Sequence, residues 1–359
     1  MTPENLGVAV LVTGLSWWLT SWLCSPAAPL ALLDHPNTRS LHTRPTPRTG
    51  GLAIIASFAA GLLLAEAIGW AGVTSPHASE SAPAGVWLWI LGPTLALSVV
   101  SFWDDRGGLS PGVRFMLHGL AAVTVIWGAG LTVTAVTIPL VGAISLKWLA
   151  VPLTLLGIMW VTNLYNFMDG MDGFAGGMTV LGFGMLGYVA WAGGSREMAL
   201  FAVMTSAAAG GFLYFNLPPA RIFMGDVGSV PLGFLAGTLA ILGVRDGVFD
   251  LWTPLLIFSP FIVDATVTLL RRLLRGDKVW QAHREHYYQR LVLAGWGHRK
   301  TVLAEYVLML ATGTTAVLYV HMDEPVRLAM LFIWAVAYAV LAWSVRSVEV
   351  RLGDRRAAV

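Results

Sequence analysis

Cysteine is nearly missing from this chain: the single Cys24 permits neither an internal disulfide nor a cysteine-built metal site, which sets redox chemistry aside. Charge is scarce as well. Only 12% of the 359 residues are Asp, Glu, Lys or Arg, against roughly 25% in ordinary soluble domains. The net charge of +2 is too small to attract a polyanion, so no nucleic-acid partner is expected. Internal repeats and low-complexity tracts are also lacking, and the longest polar stretch runs only from Arg271 to Lys300. These shortages exclude a soluble enzyme, a disordered chain and a nucleic-acid binder.

What the chain has in excess is apolar surface, with 56% hydrophobic residues and a mean hydropathy of +0.70. Eleven stretches read as candidate membrane spans: 6–23, 51–70, 86–102, 115–136, 147–162, 178–192, 198–215, 229–243, 252–270, 302–319 and 326–345. The fold class expected is an all-α polytopic membrane protein, one integral domain over residues 1–359. The first stretch is expected to be a retained helix, because no Lys or Arg precedes it and it is long for a signal peptide. Lys and Arg fix the orientation, since they gather on the cytoplasmic side. Eighteen of the 22 fall in the loops after odd-numbered spans or in the C-terminal tail, while Lys147, Arg196, Arg245 and Arg327 fall on the other side. The N-terminus is therefore expected outside and the C-terminus inside. The segment 74–84, small and polar with no basic residue, reads as an external connector.

Carboxylates beside apolar spans are expensive unless paired, hydrated or bound to a cation, so each is a functional candidate. Asp104 and Asp105 follow the third span, Asp169 and Asp172 lie in NLYNFMDGMDG, Asp226 lies in FMGDVGS, and Asp264 lies within the ninth span. Loops after odd-numbered spans share one side, so these acids can meet there. Adjacent carboxylates repel, and a divalent cation such as Mg²⁺ relieves the repulsion while bridging to phosphates. Gly170, Gly173, Gly225 and Gly228 flank the acids and let backbone N–H groups approach phosphate closely. The segments DHPNTRSLHTRPTPRTGG and HREHYYQRL add Arg39, Arg44, Arg48, Arg284 and Arg290 with His35, His42, His283 and His286. Arginine forks suit phosphate, although arginines at a membrane face also anchor to headgroups. The residues by themselves point to metal-assisted phosphoryl transfer at the cytoplasmic surface.

In order along the chain, DHPNTRSLHTRPTPRTGG, FWDDRGGLSPGVR, NLYNFMDGMDGFAGG, FNLPPARIFMGDVGS, PFIVD and HREHYYQRL resemble the motifs of the polyprenyl-phosphate N-acetylhexosamine-1-phosphate transferases, from Asp34 to Arg299. The resemblance implies transfer of a sugar 1-phosphate from a UDP-N-acetyl sugar to undecaprenyl phosphate in the bacterial inner membrane, releasing UMP and using Mg²⁺, with Mn²⁺ as a substitute. Such a step begins O-antigen or other cell-envelope polysaccharides. It implies Asp226 as the principal metal ligand with Asp105 in support, and Asp104 as the base that deprotonates or positions the lipid phosphate. Asn166, Asp169, Asp172, His286 and Arg290 resemble nucleotide- or sugar-side residues, and Arg114 and Arg44 phosphate contacts. A homodimer follows only by analogy with relatives.

The chain departs from the family where many members carry a His-x-His-His run: only His286 is kept, Tyr288 and Gln289 fill the second and third histidine positions, and His283 stands where an acid is common. This resembles the subgroup acting on 6-deoxy donors, N-acetylfucosamine or N-acetylquinovosamine, with N-acetylglucosamine close behind. The rival reading is a secondary transporter that couples ions through its acids, which predicts carboxylates near the bilayer midplane. A phosphotransferase acting on CDP-alcohols is a second rival, but DGMDGFAGG lacks the arginine its signature needs.

Overall fold

The computed structural model describes residues 3–25, 28–30, 32–36, 41, 44–68, 85–278, 281 and 283–357, with side chains between residues 6 and 350. The 74–84 connector, Arg39 and His42 lie outside the described residues. In chain order the elements are α1 (Pro3–Leu23), β1 (Leu33–Asp34), β2 (Thr46–Pro47), α2 (Gly50–Ala67), α3 (Val86–Gly107), α4 (Pro111–Gly128), β3 (Ala135–Ile138), β4 (Gly142–Ser145), α5 (Ala150–Met168), α6 (Phe174–Ala192), α7 (Arg196–Asn216), α8 (Asp226–Arg245), α9 (Trp252–Ile257), α10 (Ser259–Leu274), α11 (Tyr287–Leu291), α12 (Gly297–Tyr319) and α13 (Glu324–Ala357). Among the described residues nine helical segments are long and apolar enough to cross a membrane. The protein is a polytopic helical membrane protein.

Each of the eleven expected spans falls on a helix, and two of them differ from expectation. The fourth ends at Gly128 rather than 136, because residues 135–138 pair antiparallel with 142–145 as a hairpin. The alternating β-branched residues of TVTAVTI favour a strand there, which a hydropathy window cannot distinguish from helix. The ninth is broken at Phe258 into α9 and α10, where Pro260 in the first turn of α10 has no N–H to continue the ladder. With β1 and β2, which also pair, the all-α expectation is corrected by two small sheets.

Helix α8 is the axis of the bundle: it packs on α2, α3 and α5 and is buried almost along its whole length. Its glycines allow this. A Cβ on Gly51 of α2 would lie 2.3 Å from the Gly228 nitrogen, so the two helix starts touch backbone to backbone. Large apolar side chains such as Trp18, Leu88, Trp103, Phe332 and Trp343 point outward, the inverse of a soluble protein and suited to lipid. Helix α13 is almost wholly exposed along the bundle's edge.

Candidate active site

The last turn of α3 holds Asp104 and Asp105, where the negative end of the helix dipole opposes carboxylates. Both are therefore held by cations and backbone donors. Arg114, from the first turn of α4, forks onto Asp104 with Nε 2.6 Å from Oδ2 and Nη2 3.0 Å from Oδ1, and the Leu109 N–H also donates to Oδ1. Arg48 approaches Asp105 Oδ1 at 3.5 Å and donates to the Asp105 carbonyl, while the Val227 N–H donates to Oδ2 at 3.3 Å.

Asp226 sits oppositely, in the first turn of α8, where the positive end of the dipole favours a carboxylate. Its Oδ1 accepts from Asn166 Nδ2 at 2.8 Å and its Oδ2 faces Arg114 Nη1 at 3.4 Å. The Asp226 side chain is 27% exposed, against 5% for Asp104 and 3% for Asp105, so it is the carboxylate of the three most open to an incoming ligand.

Burial, followed by the neighbouring Asp226 and Asp105 carboxylates, pushes the Asp169 carboxyl well above the usual carboxylate range, and a hydrogen bond from the Gly225 N–H opposes this. The backbone frame is built by segments far apart in sequence. The Phe223 N–H donates to the Pro47 carbonyl at 2.7 Å, the Gly50 N–H to the Phe223 carbonyl at 2.9 Å and the Gly51 N–H to the Met224 carbonyl at 2.8 Å. Gly225 has φ 72°, and a Cβ there would meet the Arg48 carbonyl oxygen at 2.1 Å.

Asp104, Arg114, Asn166, Asp226 and His286 line one cavity of about 790 Å³. His286 is fixed by Asp264, whose carboxylate lies 3.2 Å from Nδ1 and accepts the Tyr287 N–H at 2.9 Å and the Tyr288 N–H at 3.2 Å. Gln289 also lines the cavity, whereas Tyr288 is fully buried against Phe174.

Of the other expected residues, Asp105 and Asp169 adjoin Asp226 without lining the cavity, and three more lie apart from it. Asp172 faces His298 Nδ1 at 3.1 Å and accepts the Ala220 N–H at 3.0 Å, so it ties its loop to the start of α12 and to the loop before α8, away from the cavity wall. Arg290 pairs with Glu349 of α13, Nε to Oε1 at 2.7 Å, and its guanidinium lies 5.0 Å over Tyr287 rather than in the cavity. Arg44 is exposed in the loop before β2 and does not line the cavity. Conversely His118, Asn163 and Glu305 gained no role from sequence, and Arg48 only the phosphate-binding role shared with its neighbours. Arg48 was one of several arginines of its loop, and Glu305 is a carboxylate inside α12 that faces a second, largely apolar cavity of about 640 Å³.

Among the described residues no group of three or more His, Cys, Asp or Glu side chains forms a metal cage. Mg²⁺ does not require one, since it is commonly held by one or two carboxylates plus substrate phosphates and water. Asp226 presents oxygen to the cavity with the Asp105 and Asp169 carboxyl groups close by, so the donor set fits a hard divalent cation.

Residues 87–244 match the family described as glycosyl transferase family 4. The chain is 30% identical to a Bacillus subtilis protein named probable undecaprenyl-phosphate N-acetylglucosaminyl 1-phosphate transferase, over 95% of this chain and 93% of the relative. It is 31% identical to a decaprenyl-phosphate N-acetylglucosaminephosphotransferase of Mycolicibacterium smegmatis, over 91% and 84%. A phospho-N-acetylmuramoyl-pentapeptide-transferase of Halalkalibacterium halodurans is 28% identical over 58% and 67%. With acids and arginines from five separate segments meeting at one end of the helices, and with relatives matched along nearly their whole length, the chain belongs to the polyprenyl-phosphate N-acetylhexosamine-1-phosphate transferases and is a membrane phosphotransferase.

Proposed function

We propose that the protein transfers an N-acetylhexosamine 1-phosphate from a UDP-sugar to undecaprenyl phosphate in the bacterial cytoplasmic membrane, releasing UMP. The observation that carries this reading is the meeting of Asp226, Asn166, Arg114 and Asp104 at the wall of one large cavity. An oxygen of the lipid phosphate attacks the β-phosphorus of the donor, a new pyrophosphate bond forms, and the bond to the bridging oxygen breaks as UMP leaves. Both reactants are anions, so neutralising their charge is the main demand.

Arg114 meets part of that demand: Asp104 holds its guanidinium in place and aims it toward Asp226. Asp104 accepts from both Nε and Nη2 of Arg114, a geometry that suits anchoring the guanidinium alongside the role of base or positioning group that the resemblance implies. A divalent cation, Mg²⁺ or in its place Mn²⁺, bound at Asp226 with Asp105 in support would neutralise the donor pyrophosphate. Eleven spans with the N-terminus outside put this cavity at the cytoplasmic face, a reading supported by the distribution of Lys and Arg. The names of the relatives favour N-acetylglucosamine as donor for an envelope polysaccharide, with 6-deoxy donors the alternative suggested by Tyr288 and Gln289. Asp104, Asp105, Asp169 and Asp226 gather at helix ends, and only Asp264 and Glu305 lie within helices, which speaks against ion-coupled transport.

The test is UMP release by purified protein in detergent, given undecaprenyl phosphate, Mg²⁺ and a panel of UDP-N-acetyl sugars, with EDTA and Asp226→Asn controls. Release that requires lipid, metal and one donor is expected. Folded protein that releases no UMP with any donor would overturn the proposal.

A further inference from the structure

One helical turn past Arg114 on α4 stands His118, and about one turn back from Asn166 on α5 stands Asn163; both line the same cavity. At about 1.5 Å per residue this pair lies about 5 Å further into the bundle than the charged tier formed by Arg114, Asn166 and Asp226. His118 is only 7% exposed, and its Nδ1 is buried without a hydrogen-bond partner. Asn163 donates its amide N–H to the Met159 carbonyl at 2.7 Å, and its side chain lies beside the His118 ring. The charged groups facing the ring are Asp226, Arg114 and Asp104. A buried ring nitrogen with no partner is costly, so its placement on a cavity wall points to a ligand that completes it.

We infer that His118, with Asn163 beside it, binds the phosphate of the acceptor lipid, on a tier separate from the one that takes the donor pyrophosphate. The inference rests on the transferase reading and extends it to the second substrate. Chemistry selects the ligand. A phosphate monoester keeps its second proton until near pH 6, so its oxygens can either accept from an imidazole N–H or donate to a bare ring nitrogen. The inner phosphates of a UDP-sugar are both diesters and carry no such proton. Depth selects between monoesters: the acceptor phosphate arrives from the bilayer, whereas UMP, also a monoester, leaves toward the water.

The test measures binding of undecaprenyl phosphate, with undecaprenol as the phosphate-free comparison, to intact protein in detergent without donor, alongside KM for each substrate and the inhibition constant of UMP. His118→Leu is expected to weaken undecaprenyl phosphate binding and raise its KM by about tenfold or more, as for a lost hydrogen bond to a charged group, while the donor KM and UMP inhibition stay within about twofold. His118→Gln, which keeps a polar atom near Nδ1, should recover most of the loss. Unchanged lipid binding in His118→Leu overturns the inference, as does a loss that falls on UMP or on undecaprenol equally. If the wild-type protein releases no UMP yet binds the lipid phosphate through His118, the binding site stands and the transferase reading falls.

Discussion

Arg114 grips Asp104 through Nε and Nη2 and turns its remaining nitrogen, Nη1, toward Asp226, so one guanidinium joins the end of α3 to the start of α8. A lysine has one ammonium and cannot reproduce the fork. Arg114→Lys should lower kcat about 10²-fold, in the range of a lost charge-stabilising donor. The guanidinium is 41% exposed, so thermal unfolding in detergent should move little. Unaltered UMP release by this variant would remove Arg114 from the reaction.

Gly225→Ala tests the backbone frame. The added methyl would collide with the Arg48 carbonyl at a residue with φ 72°, and relief of the clash would shift Arg48 away from Asp105. A loss of about 1–3 kcal/mol in stability is expected, together with reduced turnover, read by thermal unfolding and UMP release. A variant as stable and as active as the parent would show that the approach is looser than described.

Arg290→Ala should leave the donor KM unchanged, because its guanidinium belongs to Glu349 and Tyr287 rather than to the cavity. A double-mutant cycle with Glu349→Ala should give a coupling of about 1 kcal/mol in stability. A donor KM that rises about tenfold would return Arg290 to the nucleotide side.

The two positions that replace histidines in HREHYYQRL should behave differently. Gln289 lines the cavity, so Gln289→His is expected to change the preference among UDP-N-acetyl sugars. Tyr288 is enclosed, with its hydroxyl 3.4 Å from the Phe167 carbonyl, so Tyr288→His should lower stability and leave the donor profile alone. A donor panel run on both variants checks this, and an altered profile for Tyr288→His alone would reverse the assignment.

The acids could be found from sequence because a carboxylate at the edge of an apolar span is rare and costly. Asp104, Asp105 and Asp226 met as their loop order required. Their partners were less legible. Arg48 and Arg44 are alike in composition and four residues apart, and only the antiparallel contact between β1 and β2, followed by the turn into α2, brings one to Asp105 and leaves the other exposed. His118 lay inside an apolar run, where a lone histidine has no pattern to mark it, and Glu305 was hidden in the same way within α12. The hairpin at 135–145 was missed because its residues are as apolar as a span while their period differs.

The three hydrogen bonds joining Pro47, Gly50 and Gly51 to Phe223 and Met224 run between main-chain atoms alone. Such a joint does not depend on which side chains occupy positions 47, 223 and 224. It depends on how far along the chain each stands from the group it delivers, two positions from Met224 to Asp226 and one from Pro47 to Arg48. A substitution that keeps the packing of the buried Met224 therefore leaves the joint in place, whereas insertion or deletion of a single residue would slip it and carry Asp226 or Arg48 out of reach.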